Sequence, residues 1–177
     1  MRELGKKIYG HDGALDPEVS YDPPAAKVLP AIWHTNRACV VSSLVLCEQF
    51  YPQLFSLKTE DHCGDLALES KLLSSAIGKE VSMAELDKIG ERIFNLERAI
   101  EVRYGRTRAE DERMIPYYEQ PDDKGIILER EKYLRLMDEY YRLRSWDPKT
   151  GKPTREKLEE LGLKDVAQEL EAGGFLS

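Results

Sequence analysis

The chain predicts an all-α fold: an irregular multi-helix domain with long loops. Apolar residues recur at helical spacing from Ala25 to Leu170, and helix-start and helix-stop residues bracket those runs. There are no internal repeats and no convincing alternating strand series. The 177 residues are read as a single helical domain, 1–177, large enough to bury a core without disulfide staples.

Residues 1–23 read as an irregular N-terminal segment, punctuated by Gly5, Gly10, Gly13, Pro17, Pro23 and Pro24. From Ala25 to about Cys39 a helix carries Val28, Leu29, Ile32 and Trp33, and Pro30 either kinks it or marks its first turn. The run from Cys39 to Cys47, CVVSSLVLC, is apolar and β-branched, and its periodicity leaves strand, helix end and buried turn open. Pro52 breaks the chain, and Asp61-His62-Cys63-Gly64 reads as a loop before a helix start. Leu66, Leu72, Leu73, Ala76 and Ile77 form the next helix, stopped by Gly78.

The best-specified element runs from Ser82 to Gly105. Ser82 with Glu85 forms a capping box, and Gly105 is placed for a left-handed stop. Met83, Leu86, Ile89, Ile93, Leu96 and Ile100 make one apolar stripe, expected to face a helical core. A polar connection, Arg106 to Asp123, leads to a helix from about Glu129 to Arg144 with Leu134, Met137, Tyr140 and Tyr141 on its apolar face. SWDPKTGKPT is a turn-rich link, and Thr154 caps a short helix that buries Leu158 and Leu161 and stops at Gly162. Leu163, Val166, Ala167 and Leu170 belong to a last helix, and 171–177 reads as a loose tail.

Charge narrows the function. Lys plus Arg is 26 against 33 for Asp plus Glu, a net charge of −7 with both signs interleaved, so no basic stripe for nucleic acid is present. No apolar run approaches the roughly 20 residues that span a bilayer, and no secretory leader precedes the first residues. Cys39, Cys47 and Cys63 have no disulfide-framework spacing. A cytoplasmic location is expected.

Some side-chain groups could carry chemistry, each beside a plainer reading. Cys47 is a soft iron ligand by type, or an inert core cysteine; one sulfur cannot hold a cluster alone. Asp61, His62 and Cys63 are adjacent ligand types, but neighbours in sequence rarely converge on one metal, and no third ligand site accompanies His62 and Cys63. Glu91, Arg92, Asn95, Glu97 and Arg98 form a solvated face, or Asn95 and Arg98 anchor a neighbouring segment. His11 and His34 are read as ordinary imidazoles. No catalytic residue is assigned.

Taken together, YGHDGALDP, YDPPAAK, SLVLCEQFYP, IGKEVSMAELDKIGERIFNLERAIEVRYGRTRAED and YYRLRSWDPKTGKPTREKLEELGL follow one another in an order that resembles the C-terminal, third domain of the tungsten-containing aldehyde:ferredoxin oxidoreductase family. The similarity runs from about residue 1 to 170. It implies a three-domain enzyme in which a β-rich base cradles tungsten held by two pterin dithiolenes, under two helical domains. It implies a [4Fe–4S] cluster that takes one cysteine from this domain, in an Asp-x-x-Gly-Leu-Cys motif. The matching positions are Ser42, Val45, Leu46 and Cys47, so Cys47 is the implied metal ligand and Ser42, Val45 and Leu46 the implied cofactor-facing residues. Ser42 replaces the family's pterin-binding Asp, and Val45 its Gly.

The implied function is oxidation of aldehydes to carboxylates, with electrons passing through the cluster to ferredoxin. The implied partners are the remaining domains and ferredoxin. This chain alone is expected to bind neither tungsten-pterin nor cluster, and to be inactive. The alternatives are the same architecture acting on another carboxylate-level substrate, such as an aromatic acyl thioester, or a cofactor-free helical interaction module.

Overall fold

In a computed structural model of the chain, residues 2–16, 23–121, 123, 125 and 127–176 are described. Helices account for the regular structure: α1 (Arg2–Tyr9), α2 (Ala25–Ser43), α3 (Leu68–Ile77), α4 (Met83–Arg103), α5 (Arg108–Asp111), α6 (Ile115–Tyr118), α7 (Arg130–Leu143), α8 (Arg155–Glu160) and α9 (Lys164–Ala172). Among the described residues the only β pairing is in the isolated bridges Phe55–Cys63 and Trp146–Pro153, so the all-α class holds. The connection from Leu44 to Ala67 contains no helix.

Contacts along the chain gather into two compact units, one of Met1–Val19 with Leu29–Phe94, the other of Ser20–Val28 with Asn95–Ser177. In the first, Leu4, Ile8 and Tyr9 of α1 pack with Ala14 and Cys63, flanked by Leu15, Trp33, Leu54 and Leu66. The N-terminal segment therefore differs from the expected loop: Gly5 lies inside α1, whose apolar Leu4 and Ile8 are four residues apart, and Gly10 at φ 76° follows its end. Positions 17–22 lie outside the described residues. Gly90 of α4 meets α2 so closely that a Cβ there would stand 2.3 Å from the Asn36 carbonyl oxygen. Beside that contact, Arg37 of α2 is buried with Glu69 of α3 at 3.5 Å and reaches the half-exposed Asp87 of α4 at 3.0 Å, and its guanidinium covers the Trp33 ring.

In the second unit Ala99, Leu158, Leu161, Leu163, Ala167 and Leu170 form the core, with Val166, Phe175 and Leu176 against it. Lys152 donates to the Phe175 carbonyl oxygen at 2.6 Å, so the expected loose tail is tied down to residue 176. The expected polar connection after α4 holds α5, a 3-10 turn at Glu112–Met114, and α6.

The start signals behave as read. Ser82 and Glu85 exchange backbone bonds at 2.8 and 3.2 Å, and Thr154 accepts from the Lys157 amide at 3.2 Å. The apolar stripe of α4 does not. Leu86 is 1% exposed, but Met83, Ile89, Leu96 and Ile100 are exposed at 36–49%. The buried positions are instead Leu86 and Gly90 in the first unit, and Asn95, Arg98, Ala99 and Val102 in the second.

Candidate functional site: the turn that ends α2

Val40 and Val41 bury the end of α2 at 2% and 1% exposure. The backbone then closes as a Schellman turn: the Val45 amide donates to the Ser42 carbonyl at 3.1 Å and the Leu46 amide to the Val41 carbonyl at 3.0 Å. Val45 occupies the left-handed position, φ 57°, with its side chain 90% exposed. This resolves the open reading of Cys39–Cys47 as a helix end plus turn. It also gives the motif's glycine a physical reason, because that position is left-handed and a residue without Cβ fits it without strain.

Ser42, Val45, Leu46 and Cys47 thus share one turn. Cys47 is exposed, Cys39 half-buried and Cys63 buried. The Cys47 carbonyl oxygen accepts from the Phe50 and Tyr51 amides, both at 3.0 Å, which fixes the backbone just past the sulfur. The Ser42 hydroxyl donates to Glu48 Oε1 at 3.2 Å. That carboxylate is the residue sequence reasoning missed; its signal was only a Glu beside the cysteine, which spacing could not connect to Ser42. Downstream, Phe50, Phe55 and Leu57 are exposed at 65%, 58% and 95%.

The other candidates settle into structural roles. Asp61 Oδ1 accepts from the Cys63 amide at 3.1 Å, the Asp61 carboxylate pairs with Lys7, and the Cys63 side chain packs into the core. Among the described residues no group of three or more His, Cys, Asp or Glu could hold a metal ion. His34 Nε2 and the Tyr9 hydroxyl share a hydrogen bond of 2.8 Å; burial pushes His34 below its ordinary pKa and Tyr9 above its own. His11 Nδ1 accepts from the Gly13 amide at 3.0 Å.

The signature residues around α4 converge on a knot in the second unit. Asn95 Oδ1 accepts from Trp146 Nε1 at 2.8 Å. Arg98 Nη1 and Nη2 grip Asp111 at 3.1 and 2.5 Å, while its Nε donates to the Gly151 carbonyl at 2.9 Å. Tyr141 donates to the same Asp111 carboxylate at 2.6 Å. Burial alone would raise the Asp111 pKa, but hydrogen bonds from Arg98, Tyr141 and Arg106 outweigh it and hold the carboxyl below its ordinary value. Gly151, at φ 70°, has no room for a side chain, since a Cβ would lie 2.7 Å from Arg98 Nη2. Asn95 and Arg98 therefore anchor a neighbouring segment, and Glu97 and Arg92 form the exposed face.

The chain is 28% identical over 165 residues to the tungsten-containing aldehyde ferredoxin oxidoreductase of Thermococcus kodakarensis, covering 90% of this chain and 24% of that protein. It is 29% identical over 162 residues to the Pyrococcus furiosus protein of the same name, again 90% of this chain and 24% of the relative. Among solved structures it resembles the active site complex BamBC of benzoyl coenzyme A reductase in complex with 1,5 dienoyl-CoA, at TM-score 0.65 and 26% identity, over 92% of this chain and 22% of that one. The chain thus spans about a quarter of the length of the curated relatives it matches. Residues 4–163 match the family described as aldehyde ferredoxin oxidoreductase, domains 2 and 3, and the chain belongs to that family.

Proposed function

We propose that this chain is the cofactor-covering part of a tungsten-pterin oxidoreductase that oxidises aldehydes to carboxylates and passes the electrons through a [4Fe–4S] cluster to ferredoxin. The single observation that carries the reading is the exposed Cys47 immediately beyond a left-handed turn at Val45, the spacing of the family's cluster motif. The donor chemistry fits: a thiolate is the usual iron ligand of such a cluster, and this thiol is open to the surface rather than sealed in the core. The remaining cysteines come from the rest of the assembled enzyme, as do the pterin cradle and the metal. When bound, the metal and pterin supply the redox chemistry.

This chain's own residues position and cover. The Schellman turn fixes the backbone before Cys47 and the Phe50 and Tyr51 amides fix it after, so the sulfur arrives on a preformed support. Ser42 places a hydroxyl oxygen on this turn as a hydrogen-bond acceptor toward the cofactor. Val45 and Leu46 present aliphatic surface that excludes water once covered. By itself the chain provides one cluster ligand, so it is expected to oxidise no aldehyde and to contain stoichiometric amounts of neither tungsten nor iron. An anaerobic dye-reduction assay and elemental analysis check this.

In the assembled enzyme, Cys47→Ser is expected to remove or visibly alter the cluster's absorption and EPR signals while the far-UV CD spectrum stays unchanged. A variant whose cluster spectra match the parent's overturns the ligand assignment. A second reading, action on an aromatic acyl thioester, draws on the likeness to the benzoyl coenzyme A reductase complex. Anaerobic assays with an aldehyde and with an aryl-CoA thioester, run on the same assembled preparation, separate the two readings.

A further inference from the structure

One carboxylate on the candidate site has no role in the reading above. Glu48 follows Cys47 directly, and the Ser42 hydroxyl holds it from across the turn at 3.2 Å. Ser42 belongs to the last turn of α2, the chain reverses at Val45, and Glu48 returns to meet it. The carboxylate is thereby drawn back toward the helix end. The segment from Ser42 to Glu48 reads SSLVLCE and contains no Lys or Arg, so the turn supplies no counter-charge of its own. Its apolar members stand open, Val45 at 90% and, just beyond, Phe50 at 65%. A chain laid over these residues would exclude water from around the carboxylate.

A fixed negative charge beside an iron–sulfur centre favours the oxidised state, and excluding water strengthens that interaction. We infer that Glu48, oriented by Ser42, sets the reduction potential of the centre bound through Cys47, holding it lower and making the reduced centre a stronger electron donor. This rests on the assignment of Cys47 as a cluster ligand. Glu48 is a positioning and tuning residue: it touches neither substrate nor, on this reading, the iron.

The test is an EPR-monitored redox titration of the assembled enzyme. Glu48→Gln is expected to move the midpoint to a more positive potential, changing the reduced-to-oxidised ratio at fixed potential about tenfold, or roughly 59 mV for a one-electron couple. Glu48→Asp, which keeps the charge, is expected to stay close to the parent. Ser42→Ala, which frees the carboxylate, is expected to shift the midpoint in the same direction by less, and it supplies the measurement if Glu48→Gln fails to assemble. Glu131→Gln, an exposed residue of α7, controls for the loss of one surface carboxylate as such and is expected to leave the midpoint unchanged. An unmoved midpoint in Glu48→Gln and Ser42→Ala, or equal shifts in Gln and Asp variants, overturns the inference alone, provided Cys47→Ser still loses the cluster. A Cys47→Ser enzyme with an intact cluster overturns the ligand assignment and this inference with it.

Discussion

Val45 occupies a backbone position that other helix ends of this chain give to smaller residues. Gly105, Gly162, Gly174 and Ser145 close the same hydrogen-bonded turn at φ 92°, 72°, 72° and 54°, whereas the α2 end uses a β-branched side chain at 57°. A Cβ in the left-handed region costs about 1–2 kcal/mol, and the exposed Val45 side chain recovers little of that by packing. Val45→Gly is therefore expected to stabilise the isolated chain by about 1 kcal/mol, less the extra chain entropy of glycine, and a higher midpoint in urea denaturation checks it. The substitution that strains this turn also made it hard to read. With glycine at 45 the helix stop would have been written in the chain; with valine the segment looks equally like a strand. The position of the sulfur was legible from the motif, but its openness to the surface was not.

Asp111 carries the residue-scale pH prediction. Its folded pKa lies below the ordinary 3.8, so its contribution is full above that value and is lost as pH falls through the folded one. The stability difference between the parent and Asp111→Asn, followed by urea titration at stepped pH, is expected to be largest near neutrality and to shrink on the acid side of pH 3.8.

At the scale of the element, α4 shows where periodicity succeeds and where it misleads. Its existence, cap and stop were all legible, because each rests on contacts within a few residues. Its buried face was not. Hydropathy ranks Ile and Leu above Asn and Arg, yet Asn95 is 0% and Arg98 4% exposed because partners fifty residues away satisfy their polar atoms. Trp146→Phe leaves the Asn95 oxygen buried without that donor and is expected to cost about 1–3 kcal/mol in chemical denaturation. Arg98→Met removes two of the donors on Asp111, which keeps Arg106 and Tyr141, and a loss of about 1.5–3 kcal/mol is expected from the same measurement. The sequence offered an anchoring role for Asn95 and Arg98 only as the alternative to a solvated face; that they anchor Trp146, Asp111 and Gly151 required the tertiary structure.

Across the whole molecule, the apolar surface left open makes sense for a chain that spans a quarter of its relatives' length. Leu96, Ile100 and Tyr104 stand exposed in the second unit, and Val45, Phe50, Phe55 and Leu57 in the first. Surfaces of this kind promote association when uncovered. Ile100→Lys is expected to lower self-association of the isolated chain, seen as a smaller weight-average mass in sedimentation, with its thermal midpoint nearly unchanged.

The long reach from Asn95 to Trp146, 51 residues, also has a consequence during synthesis on the ribosome. At typical elongation rates the second half of α4 leaves the exit tunnel roughly 3–10 s before the tryptophan that completes it. For that interval a guanidinium and an amide meant for the interior stay hydrated, holding their helix face open to water. A nascent polypeptide halted before residue 146 would retain this unfinished helix, an accessible target for quality-control proteases that the completed chain withdraws.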